Sequence, residues 1–192
     1  NSISRISRMR KVDGSGGVMK LGDLMKQVVT KARQRMDEAG VAGGFSAEER
    51  EEVAVKVGLA ALKFADLSNH RVSDYVFDID KFTKFEGKTG PYLLYSAVRI
   101  KSILRNAAER EVAAGPILPP TDAERNLMII LSQLPDVLNE AAGGFLPHYL
   151  CDFAYALSQE FNRFYRDCHI LNEQDKARQG SWMSLAGLVL QE

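Results

Sequence analysis

Two tyrosines and an arginine recur on one side of a predicted helix that begins at Gly90-Pro91. Around an ideal helix, at about 100° per residue, Arg99 lies about 20° from Tyr92 and about 40° from Tyr95. Tyrosine rings can stack on unpaired bases, and a guanidinium can pair with a phosphate or with the edge of a base. These residue types at this spacing therefore indicate a binding surface for single-stranded nucleic acid.

The same helix has a separate apolar stripe that serves core packing. Its members fall within one sector of the helix: Leu93, Ala97, Ile100, Leu104 and Ala107. The core therefore does not need the side with the tyrosines and the arginine, and residues 80–110 carry seven Lys/Arg against three Asp/Glu. Spacing alone also allows an alternative, in which Tyr92 and Tyr95 pack on a neighbouring helix and Arg99 is a solvated charge.

The composition is that of an ordinary globular protein and excludes several classes. The 192 residues are 45% hydrophobic and 26% charged, and 25 Lys/Arg balance 25 Asp/Glu. The zero net charge excludes a strongly basic field over the whole molecule, so we expect no DNA partner, and any RNA contact must depend on a local patch. No apolar run reaches the roughly 18 residues of a membrane span, so no membrane partner is expected.

Cysteine and histidine usage argues against a disulfide framework and against a metal site. Two cysteines are too few for a disulfide scaffold, which favours a reducing, cytoplasmic location. His148 and Cys151 lie one helical turn apart, but a tetrahedral zinc site needs four ligands. Cys168 and His169 are adjacent and would point in different directions on a helix, so no metal is expected.

Helix signals follow one another along the chain without any alternating strand pattern. Starts are predicted near Lys20, at Ser46 (a capping box with Glu49), at Pro91, at Thr121 (a second capping box with Glu124), at Pro147 and near residue 174. The helix after Pro147 has an apolar stripe, formed by Leu150, Phe153, Leu157, Phe161 and Phe164. A short extended piece is expected within residues 72–79. The sequence thus predicts an all-α protein, a helical bundle preceded by a basic, partly irregular segment.

A longer signature surrounds the two tyrosines and the arginine. Residues 87–92 form the pattern Gly-x-Thr-Gly-Pro-Tyr, which leads into Tyr-x-x-Tyr-x-x-x-Arg. This signature resembles the one that opens the anticodon-binding domain of arginyl-tRNA synthetases, a family of class I aminoacyl-tRNA synthetases. Shorter similarities follow in the order of that family, at residues 58–68, 75–80, 147–150, 161–165 and 168–171.

The resemblance implies a function in protein biosynthesis. The family attaches arginine to arginine tRNA with ATP and Mg²⁺, and its helical C-terminal domain recognises the anticodon. Carried onto this chain, it makes Tyr92, Tyr95 and Arg99 the candidates for anticodon contact, with Asn162 and Tyr165 as further candidates that flank the apolar stripe. The expected division is a tail of the catalytic region (1–45), a connecting helix and linker (46–91) and the anticodon-binding bundle (92–192).

The chain also departs from the family pattern. The catalytic fold of the family has a His-x-Gly-His type signature, and none of His70, His148 and His169 lies in one. We therefore expect no catalytic residue and no bound cofactor in this chain, with arginine and ATP bound by a catalytic half outside it. Because the family continues beyond the position of Gln191-Glu192, we expect the chain to be clipped at its C-terminus.

The basic segment at the start allows two interpretations. Residues 1–35 carry nine Lys/Arg against two Asp, and Arg10 and Lys11 precede a glycine-rich stretch, residues 13–17. This stretch resembles the tail of the mobile loop near ATP in the family, where a cation would stabilise charge on the leaving pyrophosphate. The alternative is a solvated linker, which is favoured for this chain.

The side with the tyrosines and the arginine also allows a second function from another class. Aromatic residues and arginine are common anchors of protein–protein interfaces, so an α-helical protein-interaction module is the alternative. Salt distinguishes the two, because binding to phosphates weakens steeply as the salt concentration rises.

Overall fold

The computed structural model describes residues 19–40 and 43–191, and every regular element within these ranges is helical. The helices are α1 (Leu21–Glu38), α2 (Ala47–Leu67), α3 (Ile79–Phe82), α4 (Gly90–Glu109), α5 (Arg125–Ser132), α6 (Leu134–Gly144), α7 (His148–Asp167) and α8 (Lys176–Gln191), with a 3-10 helix at Ile170–Asn172. The predicted all-α class is confirmed for the described residues. In place of the expected extended piece, residues 74–78 are irregular. The chain divides into two compact units, residues 1–94 and 95–192.

The first unit is built on the packing of α1 against α2. Every fourth residue of α1 is buried, because that spacing aligns side chains on one face: Leu24, Val28, Ala32 and Met36. Helix α2 begins with the predicted capping box. The Glu49 N–H donates to the Ser46 hydroxyl at 3.2 Å, and the Ser46 N–H donates to the Glu49 carboxylate at 2.8 Å. This start is therefore confirmed, and two N–H groups that would lack a helical partner are satisfied.

Thr89 and Gly90 fix the start of α4 within the first unit. The buried Thr89 hydroxyl donates to the Lys84 carbonyl oxygen at 2.7 Å and accepts from the Tyr92 N–H at 3.2 Å. A Cβ atom at Gly90 would lie 2.1 Å from the carbonyl oxygen of Ala60 in α2. Because two atoms cannot approach that closely, only glycine fits. The Thr-Gly-Pro part of the signature thus sets the register of the side chains that follow on α4.

The second unit has one apolar core, to which α4, α5, α7 and α8 contribute. Its buried members are Ile100, Ile103, Ala107, Leu127, Phe153, Leu157, Phe161, Phe164, Cys168, Ile170, Trp182, Met183, Leu185, Ala186 and Val189. The predicted stripe on α7 is confirmed except at Leu150, which is exposed, whereas Cys151 in the same turn is buried. The Phe164 and Trp182 rings meet edge to face at 5.7 Å. This packing fixes α7 against α8, and α7 carries two of the predicted site residues, Asn162 and Tyr165.

An irregular segment, residues 112–121, is fastened to α8 through small residues. The Gly115 N–H donates to the Gly180 carbonyl at 2.9 Å, and the Ser184 hydroxyl donates to the Gly115 carbonyl at 2.6 Å. A Cβ atom at Gly180 would lie only 3.1 Å from the Gly115 nitrogen, so the close approach of the two backbones favours glycine there. The Leu118 N–H donates to the Ser181 hydroxyl at 3.0 Å.

The prediction that Thr121 caps a helix is wrong, because the helix begins after Glu124 and the Thr121 hydroxyl donates to the Glu124 carboxylate. Helix α5 begins at Arg125, and the Glu124 carboxylate is fully buried. It accepts hydrogen bonds from the Thr121 N–H at 3.2 Å, from the Thr121 hydroxyl, and from the Arg178 guanidinium at 2.7 Å. Burial acts to raise the pKa of this carboxyl, but the hydrogen bonds and the Arg178 charge outweigh burial, so the pKa lies below its ordinary value.

Candidate nucleic-acid interface

The second unit brings three of the predicted site residues together. Arg99 Nη1 donates to Asn162 Oδ1 at 2.7 Å, and Arg99 Nη2 donates to the Tyr95 hydroxyl at 3.0 Å. The Arg99 guanidinium carbon also lies 4.9 Å from the centre of the Tyr95 ring, within the range of a cation–π contact. We name this group, Tyr95, Arg99 and Asn162, the Tyr/Arg cluster.

Tyr95 is on the surface and outside the apolar core. Its side chain is 41% exposed, whereas Ile100 and Ile103 on the same helix are buried. This exposure, with the hydrogen bonds of Arg99, favours the surface role over the alternative in which the tyrosine packs on a neighbouring helix and Arg99 is a solvated charge. A half-exposed ring beside a guanidinium is the arrangement on which an unpaired base can stack.

Ser96 lies beneath the cluster and was not predicted as a functional residue. It is 2% exposed, and its hydroxyl accepts a hydrogen bond from Asn162 Nδ2 at 3.2 Å. Helix periodicity alone places Ser96 on the same side of α4 as Arg99. Its partner, however, comes from α7, 66 residues further along the chain. No local sequence signal indicates that contact.

The remaining candidates take different positions. Tyr92 is partly buried in the first unit. Tyr165 packs against the apolar core, and its ring stacks on Phe161 at 6.2 Å with an angle of 5° between the planes. The structure therefore places Tyr165 against the core instead of in the Tyr/Arg cluster. Arg10 and Lys11 lie outside the described residues.

Basic side chains predominate on the part of α4 that belongs to the second unit. It contains three basic residues, Arg99, Lys101 and Arg105, against the single acidic residue Glu109. Both Lys101 and Arg105 are exposed. Arg163, next to Asn162 in the chain, is instead engaged by Glu160, whose hydrogen bonds and charge raise the pKa of the Arg163 guanidinium. The local positive charge near the Tyr/Arg cluster thus comes mainly from α4.

No candidate metal site is found among the described residues. Residues 19–40 and 43–191 contain no group of three or more His, Cys, Asp or Glu placed to hold a metal ion. Cys151 and Cys168 are both buried, and burial is the main reason that the pKa of the Cys168 thiol is raised to about 11. In the same part of the chain, no helix has the length and apolar character needed to cross a membrane.

Fold and site together define an all-α domain that presents a tyrosine–arginine surface. The family described as "DALR anticodon binding domain" matches residues 93–191. The chain belongs to this family. A second family, described as "tRNA synthetases class I (R), catalytic domain", matches residues 8–79.

Individual relatives agree with the two family matches. The chain is 48% identical to an arginine–tRNA ligase of Maricaulis maris, over 96% of this chain and 31% of that protein. It is 43% identical to an arginine–tRNA ligase of Hyphomonas neptunium, over 89% of this chain and 29% of that protein. The chain thus spans about a third of the length of these relatives. The resemblance to arginyl-tRNA synthetases that the sequence signature carries is confirmed.

A solved structure shares the fold. Arginyl-tRNA synthetase of Thermus thermophilus superposes with a TM-score of 0.76 at 24% identity, covering 91% of this chain and 30% of that one. At this identity the likeness concerns the fold alone. It supports the helix order described above.

Proposed function

We propose that this chain is the part of an arginine–tRNA ligase that recognises the anticodon of arginine tRNA. The observation that supports this most strongly is the Tyr/Arg cluster, which lies in the part of the chain that matches the anticodon-binding family. In this proposal an anticodon base stacks on the exposed ring of Tyr95. The Arg99 guanidinium pairs with a base edge or with a phosphate, and Tyr92 offers a second ring.

The proposal extends to the whole reaction of the parent protein. That reaction attaches arginine to its tRNA and consumes ATP, which binds with Mg²⁺ in a catalytic region represented here by the match over residues 8–79. From the sequence pattern we place the tail of that region at residues 1–45, the connecting helix and linker at 46–91 and the anticodon-binding bundle at 92–192, so the family match extends into the connecting segment. Translation takes place in the cytoplasm, and this is the compartment we propose.

Substitution of Arg99 tests the proposed contact. Arginine pairs two acceptors at once through its planar fork, whereas lysine is a point charge. If Arg99 reads a base edge, Arg99→Lys reduces the difference in affinity between an arginine tRNA transcript and the same transcript with an altered anticodon. If Arg99 clamps a phosphate, both transcripts lose affinity alike, and Arg99→Ala gives a shallower dependence on salt.

The same experiment distinguishes the alternative function. Binding should be measured at two salt concentrations, with an unrelated RNA hairpin of equal length as the control. If neither transcript binds more tightly than the hairpin and neither variant changes the affinity, the proposal is wrong. The protein-interaction module then becomes the better account of the Tyr/Arg cluster.

A further inference from the structure

We propose that Ser96 and Asn162 are positioning residues, which hold the Arg99 guanidinium in the orientation that meets RNA without touching RNA themselves. This inference rests on the proposed function. It assigns Asn162 a role different from direct contact with the anticodon, and it gives the buried Ser96 a role that the sequence did not indicate.

The hydrogen bonds form a directed series from the interior to the surface. Ser96 is 2% exposed, and its hydroxyl accepts from Asn162 Nδ2 at 3.2 Å. The other end of the same amide, Asn162 Oδ1, accepts from Arg99 Nη1 at 2.7 Å. The guanidinium is held on its other side by the Tyr95 hydroxyl at 3.0 Å. An anchored serine thus contributes, through one amide, to the orientation of a long surface side chain.

The orientation of the Asn162 amide decides whether this side chain can accept a hydrogen bond from Arg99. A side-chain amide has a donor end and an acceptor end, and a guanidinium has donors only. If the amide were reversed, its NH2 group would face the guanidinium, and two donors would meet without an acceptor. The Ser96 hydroxyl, by accepting from Nδ2, keeps the oxygen directed towards Arg99. Removal of this hydroxyl therefore removes one constraint on the Asn162 amide, and through it on Arg99, without changing any charge.

The Arg99 guanidinium, although held in place, still has N–H donors that a ligand can use. A guanidinium has five N–H donors. Within the described residues, Asn162 and the Tyr95 hydroxyl engage one donor each, so further donors can serve an acceptor from outside the chain. Because an arginine side chain has many rotamers, holding it before RNA arrives lowers the entropy lost on binding.

A double-mutant cycle tests the inference. The affinity of an arginine tRNA transcript is measured for wild type, Ser96→Ala, Arg99→Ala and the double variant. We expect Ser96→Ala to weaken binding by about three- to tenfold in the wild-type background, the range of one hydrogen bond. In the Arg99→Ala background it should have no further effect, because nothing remains to be positioned.

Two further variants separate positioning from general structure. Asn162→Asp presents a carboxylate, which offers an acceptor oxygen in either orientation, so Ser96→Ala should lose its effect in that background too. Ser184→Ala is the matched control, since it removes a partly buried serine hydroxyl that donates to the Gly115 carbonyl at 2.6 Å. This control should change the unfolding midpoint but not the affinity for RNA.

The outcomes distinguish the inference from the proposed function. If the wild-type chain does not prefer arginine tRNA to an unrelated hairpin, or if Arg99→Ala does not weaken binding, both fail. If Arg99→Ala weakens binding but Ser96→Ala acts equally in both backgrounds, or has no effect, only the inference fails. Should Ser96→Ala not fold, Asn162→Ala replaces it in the same cycle with the same expectation.

Discussion

Replacement of Tyr95 by alanine tests whether this ring serves RNA binding or stability. The side chain is 41% exposed, and its polar contacts in the structure are with Arg99, a cation–π contact at 4.9 Å and a hydrogen bond at 3.0 Å. An exposed cation–π contact contributes about 0.5–1 kcal/mol and a hydrogen bond about 1 kcal/mol. Loss of these two contacts should therefore lower the free energy of unfolding by only about 1–2 kcal/mol.

The expected loss in RNA binding is larger. A base stacked on an aromatic side chain contributes about 1–3 kcal/mol, which is roughly 5- to 150-fold in the dissociation constant. Tyr95→Phe keeps the ring and removes only the hydroxyl that accepts from Arg99, so affinity should fall by about three- to tenfold, the range of one hydrogen bond. Fluorescence anisotropy with a labelled anticodon stem-loop measures the affinity, and thermal unfolding measures the stability.

Tyr149 provides the matched control. It is a tyrosine of the same unit with nearly equal exposure, 38%, and its ring contacts His148 at 4.5 Å. Tyr149→Ala should reduce stability to a similar degree and leave the affinity for RNA unchanged. If Tyr95→Ala lowers the unfolding midpoint steeply without weakening RNA binding, or if both tyrosines affect RNA binding equally, our placement of the stacking surface is refuted.

Three further predictions concern the framework around the Tyr/Arg cluster. Gly90→Ala should destabilise the first unit by about 3 kcal/mol or more in urea unfolding, because its Cβ would collide with a backbone carbonyl. Gly22→Ala is the control and should be neutral or stabilising, since no atom lies within 4 Å of the added Cβ. Equal effects of the two variants would contradict the close approach of α4 to α2 at Gly90. The pKa of Glu124 is lowered from 4.5 in the folded state, so this carboxylate stabilises the fold above about pH 4.5 and the contribution is lost as the pH falls through the folded-state pKa. Glu124→Gln should therefore reduce the free energy of unfolding by about 2–3 kcal/mol at neutral pH and by progressively less in acid, and a deficit that does not vary with pH would contradict the buried ion pair. The buried Cys168 thiol, with its pKa raised to about 11, should resist alkylation by iodoacetamide at pH 8 until urea unfolds the chain. Peptide mass spectrometry measures the alkylation rate, and equal rates in the folded and unfolded states would contradict the burial of this thiol.

Local signals predicted those features that depend on neighbours in the sequence. The capping box at Ser46 needs only a glutamate three residues later, and the structure has it at the predicted place. The stripe on α7 follows from helical spacing, and its members from Phe153 onward are buried. The side of α4 that carries Tyr95 and Arg99 follows from the same periodicity.

Features that depend on distant partners were missed or wrong. Thr121 has the sequence of a capping box, but Arg178, 54 residues beyond Glu124, pairs with the carboxylate, and the predicted helix start is displaced. Helical spacing puts Ser96 on the side of α4 that carries Arg99, but its burial and its bond to Asn162 depend on the packing of α7. Spacing along one helix cannot show which neighbouring helix supplies the partner.

Anticodon recognition is tested most directly by the difference in affinity between two stem-loops. The 192-residue chain should be titrated into the anticodon stem-loop of an arginine tRNA and, separately, into the same stem-loop with its anticodon replaced. Since one base-specific contact contributes about 1–3 kcal/mol, the account predicts at least about fivefold tighter binding of the arginine anticodon. Equal binding of the two stem-loops, with the same dependence on salt, would contradict it.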